Sequence, residues 1–319
     1  MSGSEPARGT HAERTRQKAV LQAAISTERS AVLIVNTRSR RGQRLYLEAR
    51  RLLTEKGISL AADHAVSDPA LLPGIVQDTI AQGHAFIIVG GGDGTISSVV
   101  DYFAYKEVVL GVLPLGTANS FARTLNLPLD LPGAVDALVG GRVADVDLGK
   151  VNDDYFANGA AIGLPAAVGR EVPHLVKKLL GRLGYLIVGS AQFLRFEPFL
   201  CFVTHDGDKT LLHASEIRIA NGRYQGGVLV APDASLESRT LEIQILTGRS
   251  KWVIAGSWLR ILLGFPRHNR DCTILRAQDV LIDTAPSQHV SIDGEVVAKT
   301  PIRVSVAQEA LLLMVPRSA

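Results

Sequence analysis

Aromatic side chains are scarce, at 5% of a 319-residue chain that is 46% hydrophobic. The apolar content is therefore mostly Leu, Val, Ile and Ala, which suits strands buried on both faces and favours a parallel sheet. Cysteine is scarcer: Cys201 and Cys272 stand far apart, with no CxxC pair and no histidines at ligand spacing. That excludes a structural zinc site, leaves room for one disulfide at most, and fits a reduced, cytoplasmic setting. No stretch reaches the roughly 18 consecutive apolar residues of a membrane span. The nearest, Tyr185–Phe196 and Trp252–Phe265, are broken by Gln192 and Arg195 and by Arg260. Residues 1–30 lack the apolar core of a signal peptide. An excess of charge of either sign is also lacking, with 34 Lys and Arg against 31 Asp and Glu. A dedicated nucleic-acid binder, with a basic excess and stacking aromatics, is not expected. What is present is a mean hydropathy of +0.17, enough apolar residue for a sizeable core, over a length that suits about two domains.

The pattern changes midway. Ala31–Asn36 (AVLIVN) is a continuous apolar run that predicts a buried strand. Gln43–Lys56 has helical spacing with Leu45, Leu52 and Leu53 inward, closed by Gly57. Strands at Ile58–Val66, Ala85–Val89 and Val108–Leu113 alternate with helices at Ala70–Gln82, Ile96–Tyr105, from about Ala118, and Pro132–Val139. This rhythm predicts an α/β fold, a doubly wound, Rossmann-like nucleotide-binding domain over residues 31–142. The final run, Ala310–Val315, is placed back in it within a tail of 308–319. Residues 1–30 form an extension with a short helix near Ala12–Ala24. From 143 to 307, short runs between turn residues predict a β-rich, sandwich-like domain: Val143–Ile162, His213–Ala220, Gly227–Ala231, Leu241–Leu246, Thr273–Asp283, His289–Ile292 and Ile302–Val306. Helical stretches at His174–Leu194 and Lys251–Leu263 interrupt it.

The chemistry concentrates in two turns. Strand Ala85–Val89 runs into Gly90-Gly91-Gly92-Asp93-Gly94-Thr95 and then a helix. Glycines let backbone approach a large anion, and the helix N-terminus aims free N–H groups at it. The loop is neither a Walker A sequence nor a dinucleotide fingerprint. A carboxylate beside a phosphate cradle is repulsive unless a divalent cation is shared, so Asp93 points to Mg²⁺. A capped strand-to-helix turn is the plainer alternative. One βα unit later comes Leu113-Pro114-Leu115-Gly116-Thr117-Ala118-Asn119-Ser120-Phe121-Ala122-Arg123, expected at the same carboxyl edge. Arg38 and Arg41, on the turn after the first strand, suit phosphate oxygens or a solvated basic loop equally. None of the eight histidines has metal-ligand spacing.

Gly91-Gly92-Asp93-Gly94-Thr95 resembles the GGDGT motif of diacylglycerol, sphingosine and NAD kinases. Gly116–Arg123 resembles the GTxNDFAR motif of the lipid kinase branch, and Asp147-Leu148-Gly149, Asn158-Gly159 and Asp293-Gly294-Glu295 follow in family order. Val35-Asn36-Thr37-Arg38-Ser39-Arg40-Arg41-Gly42 resembles its first phosphate-binding turn. The likeness to the diacylglycerol kinase catalytic domain family spans about residues 31–315. It implies ATP- and Mg²⁺-dependent phosphoryl transfer to a lipid hydroxyl such as that of diacylglycerol, with nucleotide in a cleft between the domains. Asp293 would be the general base, with Glu295 of the same motif also a catalytic residue. Asp93 and Asp147 would join it in a magnesium-linked network, through water. Asn36, Arg38, Arg41, Gly91, Gly92, Asp93, Gly94, Thr95, Gly116, Thr117 and Asn119 would hold the nucleotide. The chemistry needs positioning, charge neutralisation and a proton acceptor, which these residues supply. A hairpin turn is the bland alternative for Asp293.

The chain departs from the family at Ser120, where Asp is usual, at Thr37, where Pro is common, and at Ser238-Arg239. The last pair stands where some bacterial members have the Asp-Gly of a second, structural Mg²⁺ site, so that site is not expected. The resemblance implies a cytoplasmic enzyme working peripherally at the inner membrane face. Leu175–Phe196 and Trp252–Phe265 mix apolar and basic residues, as an interfacial surface, an acyl-chain wall or packed helices would. An NAD kinase-like enzyme and a catalytically silent lipid-binding relative are the competing functions.

Overall fold

The computed structural model describes residues 11–163, 197–247, 252–265 and 271–317. It divides into two compact units, residues 1–147 with 308–319, and 148–307. The predicted helix at His174–Leu194 and the apolar stretch Leu175–Phe196 lie outside the described residues, as do Arg267 and Arg270.

The first unit is built on α1 (His11–Glu28), β1 (Ser30–Asn36), α2 (Gly42–Glu55), β2 (Ser59–Val66), α3 (Leu72–Ala81), β3 (Phe86–Gly91), α4 (Asp93–Phe103), β4 (Val109–Pro114), α5 (Ser120–Thr124) and α6 (Leu131–Gly140). Strands β2, β1, β3 and β4 are parallel in that order. Leu312 and Leu313, near the C-terminal end of the chain, extend the sheet beside Val109 and Leu110. The aliphatic runs explain the order: β3 and β4 are buried throughout, and β1 everywhere but its two end residues. The half-polar β2 takes the edge. Helices α2 and α6 pack together on one face, over Leu33, Val35, Phe86 and Ile88, while α3 and α4 pair on the other.

Two details correct the sequence reading. The buried face of α2 is Tyr46, Ala49 and Leu53, with Leu45 and Leu52 only partly buried against the same core. Helix α5 starts at Ser120, because Asn119 adopts a left-handed conformation (φ 49°, ψ 48°). The N-terminal helix is part of the first unit: Lys18 pairs with Asp145 at 2.6 Å, and Ile25 enters the core.

The second unit is antiparallel. The chain enters it within β5 (Arg142–Val151), followed by β6 (Asp154–Phe156), β7 (Gly159–Gly163), β8 (Phe199–His205), β9 (Asp208–Ala220), β10 (Tyr224–Gln225), β11 (Val228–Leu229) and β12 (Leu241–Thr247). Helix α7 (Trp252–Leu262) precedes β13 (Cys272–Ala277), β14 (Asp279–Ala285), β15 (His289–Ile292), β16 (Glu295–Lys299) and β17 (Ile302–Val315). The long β9 pairs with β7, β8 and β12, and its inward residues Ala214, Ile217 and Ile219 centre a second core. The predicted runs Val143–Ile162 and Thr273–Asp283 are each several strands, divided at turns. Strand β8 and the first half of β9, absent from the sequence reading, form a hairpin through Asp206-Gly207, both at positive φ. No described helix is long and apolar enough to cross a membrane.

Candidate functional site

Three strand-to-helix turns of the first unit follow β1, β3 and β4, adjacent parallel strands, so all three lie at one carboxyl edge. Side chains stitch them together. Asn36 Nδ2 donates to Thr95 Oγ1 at 2.9 Å, and Asn36 Oδ1 accepts the Arg38 N–H at 3.1 Å. The first and second turns are thereby linked. Asp93 Oδ1 accepts the Phe121 N–H at 3.1 Å, joining the second turn to α5.

Glycine is required where the second and third turns touch. A Cβ on Gly116 would stand 2.4 Å from the Gly92 Cα, and one on Gly92 3.2 Å from the Gly116 Cα. Any side chain there would part the turns. Gly92 caps α4 with no side-chain bond, and space beside Gly94 is open. The α4 terminus thus offers backbone N–H groups to an anion.

Asn119 works within its own turn. Its Oδ1 accepts from Gly116 N at 2.9 Å, and its Nδ2 donates to Gly116 O at 2.9 Å and Pro114 O at 3.2 Å. Both amide hydrogens are thereby engaged, so Asn119 shapes the turn and leaves Gly116 and Thr117 exposed. Arg123, which the sequence reading did not select, donates Nε to Ala118 O at 2.9 Å and buttresses the same turn. Arg38 and Arg41 are exposed, and neither belongs to any described ion pair, unlike Arg50 and Arg51 on α2, which pair with Asp63 and Glu55.

Asp147 is buried, 2% exposed, and its Oδ1 accepts the Glu309 N–H at 2.8 Å. It ties together the points where the chain leaves and re-enters the first unit. Among the described residues no three Asp, Glu, His or Cys side chains converge as metal ligands. Asp93, at the α4 terminus with Oδ1 on the Phe121 N–H, fits Mg²⁺ held by one carboxylate together with phosphate oxygens and water.

In the second unit Asp293 (φ 45°) and Gly294 (φ 96°) form the hairpin between β15 and β16. The turn does more than reverse the chain. Asp293 Oδ1 accepts from Gly159 N at 3.1 Å and Oδ2 from Ala157 N at 3.3 Å. These bonds hold the carboxylate across the Asn158-Gly159 segment. Glu295, at the start of β16, is exposed. Two amide atoms in this neighbourhood, Asn158 Oδ1 and Gln225 Nε2, are buried without a hydrogen-bond partner. Gln225 Nε2 lies against Gly159, where a Cβ would come within 2.2 Å of it. The sequence offered a faint signal for Gln225, its place just before the Gly226-Gly227 hairpin.

The loop at Ser238-Arg239 closes on itself: Ser238 Oγ lies 2.8 Å from Ser235 O and 2.9 Å from Thr240 O. Arg239 takes the positive φ, 58°, that Gly adopts without strain. Asp233 and Glu242 face the Arg276 guanidinium, at 3.8 and 3.2 Å. Both cysteines are free. Burial pushes the Cys201 thiol up to about 12 and the Cys272 thiol up to about 11, so neither is a nucleophile near neutral pH.

Residues 30–151 match the diacylglycerol kinase catalytic domain, and residues 159–315 the YegS C-terminal NAD kinase beta sandwich-like domain. A Pseudomonas aeruginosa protein named "probable lipid kinase YegS-like" is 32% identical over 247 residues, covering 76% of this chain and 80% of that one. A Serratia proteamaculans protein of the same name is 34% identical, over 68% of this chain and 72% of its own length. An uncharacterised Synechocystis protein is 29% identical, and the match spans 57% of its length. Two crystal structures of Bacillus anthracis diacylglycerol kinase-type proteins superpose with TM-scores of 0.77 and 0.74, at 25% and 24% identity. They cover 91% of this chain and 96% and 98% of theirs. With both domain models matched in series and relatives above 30% identity over more than two thirds of each chain, the chain belongs to the YegS-like, diacylglycerol kinase catalytic-domain family of lipid kinases.

Proposed function

We propose that this chain transfers the γ-phosphoryl group of ATP to the hydroxyl of a lipid alcohol of the diacylglycerol type, with Asp293 as the general base. The observation that carries the reading is the stitched edge of three turns, which offers α4 amide groups, two close-packed glycines and two exposed guanidiniums to a polyphosphate. A bound Mg²⁺ would neutralise charge on the phosphate oxygens, with Asp93 as its protein partner and Asp147 acting through water. Asp93 has one oxygen engaged by Phe121 N–H and the other turned to no described partner.

The second unit supplies the acceptor chemistry. Asp293 takes the hydroxyl proton as the new oxygen–phosphorus bond forms, the bond to the leaving ADP breaks, and the electron pair of that bond stays on ADP. Its carboxylate is held in place by two backbone N–H groups, so little reorganisation is needed on proton transfer.

The test is γ-labelled ATP with Mg²⁺, a panel of diacylglycerol, sphingoid base and phosphatidylglycerol, and NAD in a parallel arm. The expected product is a phosphorylated lipid and no NADP. Asp293→Asn should keep nucleotide affinity within about twofold while turnover falls by about a thousandfold or more. Turnover retained in that variant would remove Asp293 as base. Tight lipid binding with no transfer by the unaltered chain would instead make it a silent relative.

A further inference from the structure

Helix α7 is anchored by an ion pair and presents an apolar stripe to solvent. Its inner residues Ile254, Ser257 and Ile261 are nearly inaccessible, at 1%, 1% and 5%. Trp258 packs over the Arg218 guanidinium, 4.5 Å from ring centroid to Cζ. Arg218, 1% exposed, grips the fully buried Glu216 through two 2.8 Å bonds and reaches Ser257 Oγ at 3.3 Å. The helix therefore has a complete inner face on β9, β11 and β12.

On its outer face Trp252 is 67% exposed, Leu259 58% and Leu263 63%. Spaced seven and then four residues apart, they fall on one line along the helix. Leu263 continues that line through its N–H bond to Leu259 O. The helix then closes in a Schellman cap: Gly264 (φ 84°) donates to Ile261 O and Phe265 to Arg260 O. Phe265, 56% exposed, is thus held at the same end. An outward stripe of Trp and Leu is the reverse of an ordinary surface helix.

Charge selects the partner. From Glu242 to Asp271 the sequence has no acidic residue between them, and carries Arg249, Lys251, Arg260, Arg267 and Arg270. A positive, acid-free stretch of sequence that contains an exposed Trp/Leu stripe matches an anionic bilayer surface. Tryptophan settles there at headgroup level, and lysine and arginine meet the lipid phosphates. We infer that α7 is a membrane-docking helix, lying in the plane of an anionic lipid surface with Trp252, Leu259, Leu263 and Phe265 toward the acyl chains. The inference rests on the lipid-kinase reading for its purpose, but vesicle binding is measured without nucleotide, so the two can fail separately.

The full chain is sedimented with vesicles of phosphatidylcholine alone or mixed with phosphatidylglycerol. Binding should require phosphatidylglycerol and weaken with salt. The triple variant W252S/L259S/L263S should bind at least about tenfold more weakly, with far-UV circular dichroism and denaturant midpoint unchanged. The conservative W252F needs no such control. The chain has two tryptophans, and the blue shift of emission on adding anionic vesicles should vanish in W252F while Trp258 still reports. Equal partitioning of the chain and the triple variant, or a blue shift that survives in W252F, would overturn the proposal. So would a dimer in solution that the triple variant converts to monomer, since a second copy would then cover the stripe. An unaltered chain that phosphorylates lipid yet does not bind the anionic vesicles would remove the docking helix and leave the kinase reading standing.

Discussion

At the scale of single residues, Asp93 joins a structural contact to the role proposed for it on Mg²⁺. Its Oδ1 receives the Phe121 N–H, satisfying a donor in the first turn of α5 that would otherwise be an orphan. Asparagine can still accept that bond, while alanine cannot. Asp93→Asn is therefore expected to keep its stability within about 0.5 kcal/mol, whereas Asp93→Ala loses about 1 kcal/mol of cap. Both should lose Mg²⁺-dependent turnover, since the charge is gone in each. Urea midpoints and a Mg²⁺ titration of activity check the split; Mg²⁺ dependence unchanged in Asp93→Asn would refute the metal role. The sequence made Asp93 conspicuous through its glycine-rich setting. The partner at Phe121 was illegible, because a contact 28 positions away leaves no local pattern. Asn119 is the converse case. The motif marks it, but only its left-handed backbone and its three hydrogen bonds show that it shapes the turn.

At the scale of elements, helix α7 and its ion pair are coupled. Removing Arg218 leaves Glu216 charged, fully buried and alone, which is strongly destabilising. Removing both members together can be nearly neutral. Arg218→Met should thus lower stability by about 3–5 kcal/mol, and the double change with Glu216→Met should recover most of the loss. Equal denaturant midpoints for the single and double variants would show that the Trp258 contact, rather than the charge pair, fixes the helix. The helix itself was legible from its apolar spacing. Which face turned inward was not, because both faces are apolar and the inner one is decided by Arg218, which comes from a distant strand. Strands followed the same rule. The runs AVLIV, FIIV and VLGVL declared themselves, since parallel strands buried on both sides need no alternation. Strand β8 escaped, although Asp206-Gly207 is a hairpin signal, because its short apolar run Phe199–Val203 follows directly on the apolar stretch Leu175–Phe196, and a short apolar run is not told from a buried helix by periodicity alone.

At the scale of the whole molecule, each unit owns a core, and the first is not contiguous in sequence. Leu312 and Met314 enter its core, Leu311, Leu313 and Val315 are buried, and Leu312-Leu313 lies beside β4. A fragment of residues 1–147 would expose that edge of β4 and the apolar surface those residues cover. It is expected to aggregate or remain protease-sensitive. The same fragment with residues 308–319 joined by a short flexible linker should give a cooperative unfolding transition. Comparable protease resistance of both fragments would show that the C-terminal segment is dispensable. The sequence by itself determined the fold class, the edge at which the glycine-rich turns gather and the identity of the acidic residues, because periodicity and glycine placement are local properties of the chain. Only the tertiary structure decided how these parts serve one another: Asp93 reaching Phe121, Asp293 gripping the Asn158-Gly159 segment, and Trp258 resting on Arg218. Each is a pairing between residues remote along the chain, and its strength depends on burial and exact placement, which no stretch of sequence encodes alone.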